Sequence, residues 1–103
     1  MRLPDWLLLW IWQALIGEIY PEIRAIAVRF DTGKNLLLRY YFDRVPTEDD
    51  IEGIECVITN IFAQTSSNDQ IKNITKEAIF TEQRMADLDA LDGFVYARRE
   101  YDL

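Results

Sequence analysis

Six carboxylates fall between Val45 and Ile71 with no lysine or arginine among them: Glu48, Asp49, Asp50, Glu52, Glu55 and Asp69. Carboxylates can act as proton donors and acceptors, as ligands for a hard cation, or as a contact surface for a basic partner. The rest of the composition decides among these uses. The chain has no histidine, the side chain that titrates most readily near neutral pH and the commonest metal ligand. Its single cysteine, Cys56, can make neither an internal disulfide nor a zinc cluster, which favours a reducing compartment such as the cytoplasm. The acids around Cys56 disfavour its thiolate, so a reactive role is not expected. A second acidic run, Asp87, Asp89 and Asp92, precedes Gly93. Leu88, Ala90 and Leu91 interrupt it and no bidentate glutamate closes it, so it does not read as a calcium loop. Catalysis, a metal and a cofactor are therefore unsupported, whereas protein docking has material to work with.

The overall charge points the same way. A net charge of −7 would repel phosphate, so direct contact with DNA or RNA is not expected. A basic protein is the natural complement, because opposite fields steer encounter. Within the acidic span, a helix start prefers negative charge and accounts for Glu48, Asp49 and Asp50. It accounts less well for Glu52 and Glu55. The candidate contact surface is therefore Asp43, Glu48, Asp49, Glu52 and Glu55, joined by Asp87, Asp89 and Asp92. Of the tyrosines Tyr40, Tyr41, Tyr96 and Tyr101, about half are expected in the core; Tyr41 and Tyr101 are assigned as contact anchors, since tyrosine offers large area with few rotatable bonds. Arg98, Arg99 and Glu100 are expected to pair with these acids or with Asp43 as structural ion pairs.

These residues need elements to hold them. Half of the 103 residues are apolar, enough for one core, and a single domain over residues 1–103 is expected. The run Trp6 to Ile16 is too short to cross a bilayer. Arg2 and this run imitate a secretory signal, but Asp5, three tryptophans and the lack of a cleavage site before Gly17 oppose that reading. An amphipathic helix is expected instead, burying Leu8, Leu9, Trp12, Leu15, Ile16 and Ile19, and stopped by Pro21. Trp6, Trp10, Gln13 and Gly17 make a second stripe, either covered by neighbouring elements or available for self-association. The first is preferred, because an exposed pair of tryptophans costs solubility.

Ala25 to Phe30 and Leu36 to Phe42 alternate as two strands of a hairpin whose loop, Asp31 to Asn35, would take its positive φ from Gly33. Ile26, Val28, Phe30, Leu36, Leu38, Tyr40 and Phe42 would share the buried face, leaving a wet or half-wet face opposite. Thr47 caps a second helix, with Asp50 completing an approximate capping box. Ile51, Ile54, Val57, Ile58, Ile61 and Phe62 mark its buried stripe; Asp49, Glu52, Cys56, Thr59 and Ala63 look outward. A polar loop from Gln64 to Asp69, a strand from Ile74 to Phe80, a turn or loop from Gln83 to Leu91 and a last strand from Phe94 to Tyr101 complete the chain. The expected fold is α+β in the order α-β-β-α-β-β, with a four-stranded, mostly antiparallel sheet and the helices packed on it.

The segments YYFDRVPTEDDIEGIE (Tyr40 to Glu55) and LDALDGFVYARREY (Leu88 to Tyr101) resemble small bacterial immunity proteins encoded beside polymorphic toxins, in particular those of contact-dependent growth inhibition systems. The resemblance implies a cytoplasmic protein, monomeric or weakly dimeric, that is not an enzyme. Such a protein binds a cognate C-terminal toxin domain, often a basic nuclease, and blocks it. A self-associating structural or regulatory protein using the Trp-rich helix is the alternative.

Overall fold

The computed structural model describes residues 3–64 and 70–100. Helix α1 spans Asp5–Ala14, strands β1 and β2 span Ile23–Phe30 and Asn35–Phe42, and helix α2 spans Glu48–Ala63. Strand β3 follows at Asn73–Phe80, then a 3-10 turn at Met85–Asp87 and strand β4 at Gly93–Ala97. The expected element order holds. The sheet, in the order β3-β2-β1-β4, is mixed: β1 pairs antiparallel with β2 and β4, but β3 lies parallel to β2 from Asn35↔Asn73 to Phe42↔Phe80. Helix α2 is the reason, because it carries the chain back along the sheet before β3 begins.

Both helices cover one face. Leu7, Ile11 and Ala14 of α1 and Ile54, Val57 and Ile61 of α2 bury against Ile26, Val28, Leu36, Leu38, Tyr40 and Phe42. The expected stripe on α2 is right at its centre, although Phe62 ends up exposed. On α1 the expected face is right only at Leu15, which is buried, and at Leu8, which packs against the core. Leu9, Trp12, Ile16 and Ile19 are exposed, and the buried positions of the helix are Leu7, Ile11 and Ala14. A helix apolar nearly all round offers no periodic contrast, so only its neighbours choose the buried side. Helix α1 also ends well before Pro21, with Leu15 as its C-cap and Gly17 at φ +80 in the turn beyond.

The opposite face is half-wet, as expected: Arg29, Asp43, Thr75 and Glu77 are exposed there, while its centre is covered. Strands β3 and β4 sit at opposite edges, so residues 81–92 must cross the back of β2 and β1. Met85 and Leu88 of this crossing segment bury against Ala25, Ala27 and Tyr41, with Ile79, Leu91 and Phe94 alongside. The two alanines leave the space that the crossing segment fills.

In the β1–β2 hairpin, Lys34 and not Gly33 takes the left-handed conformation, at φ 66. Lys34 N donates to Asp31 O at 3.0 Å, and the Asp31 carboxylate accepts Asn35 N at 2.9 Å. A non-glycine residue there is strained. Lys34→Gly is expected to raise stability by about 0.5 kcal/mol after the added freedom of the unfolded chain is counted, or about 2–4 °C in Tm. A thermal melt showing a lower Tm would mean that the Lys34 side chain itself holds the turn.

Candidate functional site

The residues around the start of α2 form a tight polar joint. Thr47 caps the helix through Asp50 N, while Asp50 reaches back to Thr47 N at 2.7 Å, so the capping box is complete. Asp50 is only 2% exposed. Its carboxylate also accepts from Tyr20 Oη at 2.6 Å and from both terminal nitrogens of Arg44. Arg44, followed by the Tyr20 and Thr47 bonds, holds the Asp50 carboxyl far below the usual carboxylate range. Burial and the Asp50 anion push the Tyr20 phenol up. Asp50 is thus a structural acid that ties the turn after α1 to the start of α2.

Beyond this joint the acids on α2 change character. Glu48, Asp49, Glu52 and Glu55 are all exposed. Among the described residues none of the four has an ion-pair partner. Helical spacing puts Glu48, Glu52 and Glu55 in one row, with Asp49 and Cys56 beside it. Glu52, Glu55, Cys56, Thr59 and Asn60 line a shallow, open depression of about 400 Å³.

The other candidate residues are placed differently. Asp43 pairs with Arg98 at 2.7 Å, as expected. Arg98 also holds Glu100 at 2.9 Å, and Glu100 forms a two-pronged bridge to Arg24 at 2.8 and 2.9 Å. Arg24, the residue that the β1–β2 register skips, is 5% exposed and donates to Thr81 O as well. Arg24, followed by Arg98, lowers the Glu100 pKa. Asp43 therefore belongs to this network at the end of the sheet and not to the α2 row.

In the crossing segment, Asp92 accepts Phe30 N at 2.8 Å and donates its own N–H to Val28 O, which extends the sheet. Asp89 caps Leu91 N at 2.8 Å and faces Arg39 at 3.7 Å. Asp87 pairs with Arg84 at 3.3 Å. Tyr41 is 5% exposed, with its hydroxyl donating to Asp89 O at 2.8 Å. A side chain buried there cannot anchor a partner, so its assignment as a contact residue is corrected. Tyr101 and the loop residues 65–69 lie outside the described residues. Among those described, no three His, Cys, Asp or Glu side chains are grouped to hold a metal, and no helix is long and apolar enough to cross a membrane.

The Trp6/Trp10 stripe is covered only in part: Trp10 is half-buried, while Trp6, Gln13 and Gly17 are exposed. The two rings meet edge to face at 4.8 Å, Trp6 meets Phe30 at 5.9 Å, and Trp10 packs against the core.

The model of the MafI2 immunity protein family matches residues 4–100, nearly the whole chain. The chain belongs to that family. No curated protein matches it significantly. Membership in the MafI2 immunity protein family bears out an immunity role and a toxin protein as partner. The likeness to contact-dependent growth inhibition systems holds only approximately, since Maf proteins are a polymorphic toxin family of their own. For a MafI2 immunity protein, the row on α2 is the largest group of exposed acids without ion-pair partners among the described residues, Asp5 and Glu82 lying apart from it. Sequence reasoning missed Arg24 and the depth of Asp50. The capping pattern at Thr47 pointed to Asp50, but the approach of Tyr20, 30 residues away, has no local signal.

Proposed function

We propose that this chain acts in the cytoplasm as a stoichiometric, non-enzymatic inhibitor. It covers a basic, nuclease-type toxin domain with the acidic row of α2, without touching nucleic acid itself. One observation carries the reading: Glu48, Asp49, Glu52 and Glu55 are exposed without ion-pair partners among the described residues, whereas Asp43, Asp50, Asp87 and Asp89 are paired. Unpaired carboxylates on a rigid helix complement the positive surface with which a nuclease holds phosphate.

The test is the rate of association with the cognate toxin domain. Glu52→Lys/Glu55→Lys is expected to slow association on the order of tenfold at low salt, with the difference closing as salt screens the charges. Cys56, exposed in the same row, supplies a footprint. Its alkylation by a maleimide should be suppressed in the complex. Wild-type association by the reversed protein, with Cys56 labelled as fast in the complex as alone, would place docking elsewhere.

A further inference from the structure

Helices α1 and α2 lie side by side on one sheet face and run antiparallel, with Gln64 at the end of α2 donating to Trp10 O and Tyr20 beyond α1 reaching Asp50. Their outward faces are neighbours, with Trp12 on the side of α1 that meets β4. On the α1 half, Leu9 and Trp12 are each 51% exposed, and Ile16, in the turn just beyond the helix, is 78% exposed. Together they expose apolar surface on the order of 400 Å², the size of the largest patch on a typical monomer, which is often functional. The Trp12 ring is not loose. The β1–β4 register skips Val95, and the Val95 carbonyl accepts Trp12 Nε1 at 3.1 Å. A large ring already fixed in place loses little freedom on binding, which is what an interface anchor requires.

We propose that Leu9, Trp12 and Ile16 form the apolar anchor of a composite docking face whose other half is the acidic row of α2, and that its occupant is a basic protein surface, the toxin domain. This rests on the toxin-inhibitor reading above. Charge selects the occupant. A second copy of this chain would bring another net −7 against an unpaired acidic row, with Asp5 exposed at the end of the apolar one. A basic partner with an apolar centre satisfies both halves. The acids then set the rate of arrival and the apolar row sets the lifetime of the complex.

The experiment compares wild type, Leu9→Ser/Ile16→Ser and Glu52→Lys/Glu55→Lys for binding kinetics on immobilised cognate toxin domain, with sedimentation of each inhibitor alone. The serine variant is expected to dissociate at least about 10-fold faster with association changed less than about twofold, at low and high salt alike. If the serine pair melts below wild type, Ile16→Ser alone repeats the comparison at the most exposed position. Wild-type dissociation by the serine variant, with the lysine variant still slowed, overturns the anchor and leaves the acidic-row reading standing. Unchanged binding by both variants overturns both. A concentration-dependent wild-type dimer that the serine variant abolishes also overturns the proposal, because a second copy then occupies the face.

Discussion

Asp50→Asn is expected to destabilise the fold by about 3 kcal/mol, although it replaces an atom of nearly the same size. The carboxylate accepts from Tyr20, Arg44 and Thr47 with 2% of the residue exposed. An amide has one acceptor oxygen and must turn its NH₂ toward a donor, which leaves buried donors unmet. The same group shapes the acid limb of stability. The folded pKa of Asp50 is depressed below its ordinary 3.8, so its contribution is complete above that value and is lost as pH falls toward the folded pKa. Glu100, depressed from 4.5, acts with the same sign in the same direction. Urea unfolding of wild type between pH 5 and pH 2 should show stability dropping below about pH 4.5, with a shallower drop in Asp50→Asn. Equal slopes in the two proteins would mean that Asp50 is not held ionised by the fold.

The second large effect is at Arg24. Arg24→Met is expected to cost about 3 kcal/mol, because it strips the two-pronged partner from Glu100, whose side chain is 8% exposed and, among the described residues, keeps only Arg98. The joint variant Arg24→Met/Glu100→Leu removes both buried charges together. It is expected to recover at least about half of that loss, since the desolvation of the pair disappears with the pair. Chemical denaturation of the four proteins in this cycle gives the coupling directly. If the losses simply add, the buried bridge is not an interacting unit.

The amino-acid sequence by itself determined the element order, the position of the hairpin, the capping box at Thr47 and the buried stripe through Ile54, Val57 and Ile61. All of these rest on neighbours within four residues, where the periodicity of helix and strand is written directly. It also determined that the acidic span would outnumber its local uses.

Only the tertiary structure decided the rest. The parallel pairing of β2 with β3 follows from where α2 returns the chain, and the covered patch at Ala25, Ala27 and Tyr41 on the back face follows from the crossing of residues 81–92. On α1, apolar all round, packing chose Leu7, Ile11 and Ala14 and left Leu9, Trp12 and Ile16 outside. The same is true of the carboxylates with which the chain was first read. Their types and spacing were visible as one acidic stretch, but charge carries no label for its partner. Arg44 and Tyr20 take Asp50, Arg98 takes Asp43, and the Phe30 N–H takes Asp92, because folding brings these donors to them. Glu48, Asp49, Glu52 and Glu55 remain on the surface because no cation of the described fold reaches that side of α2.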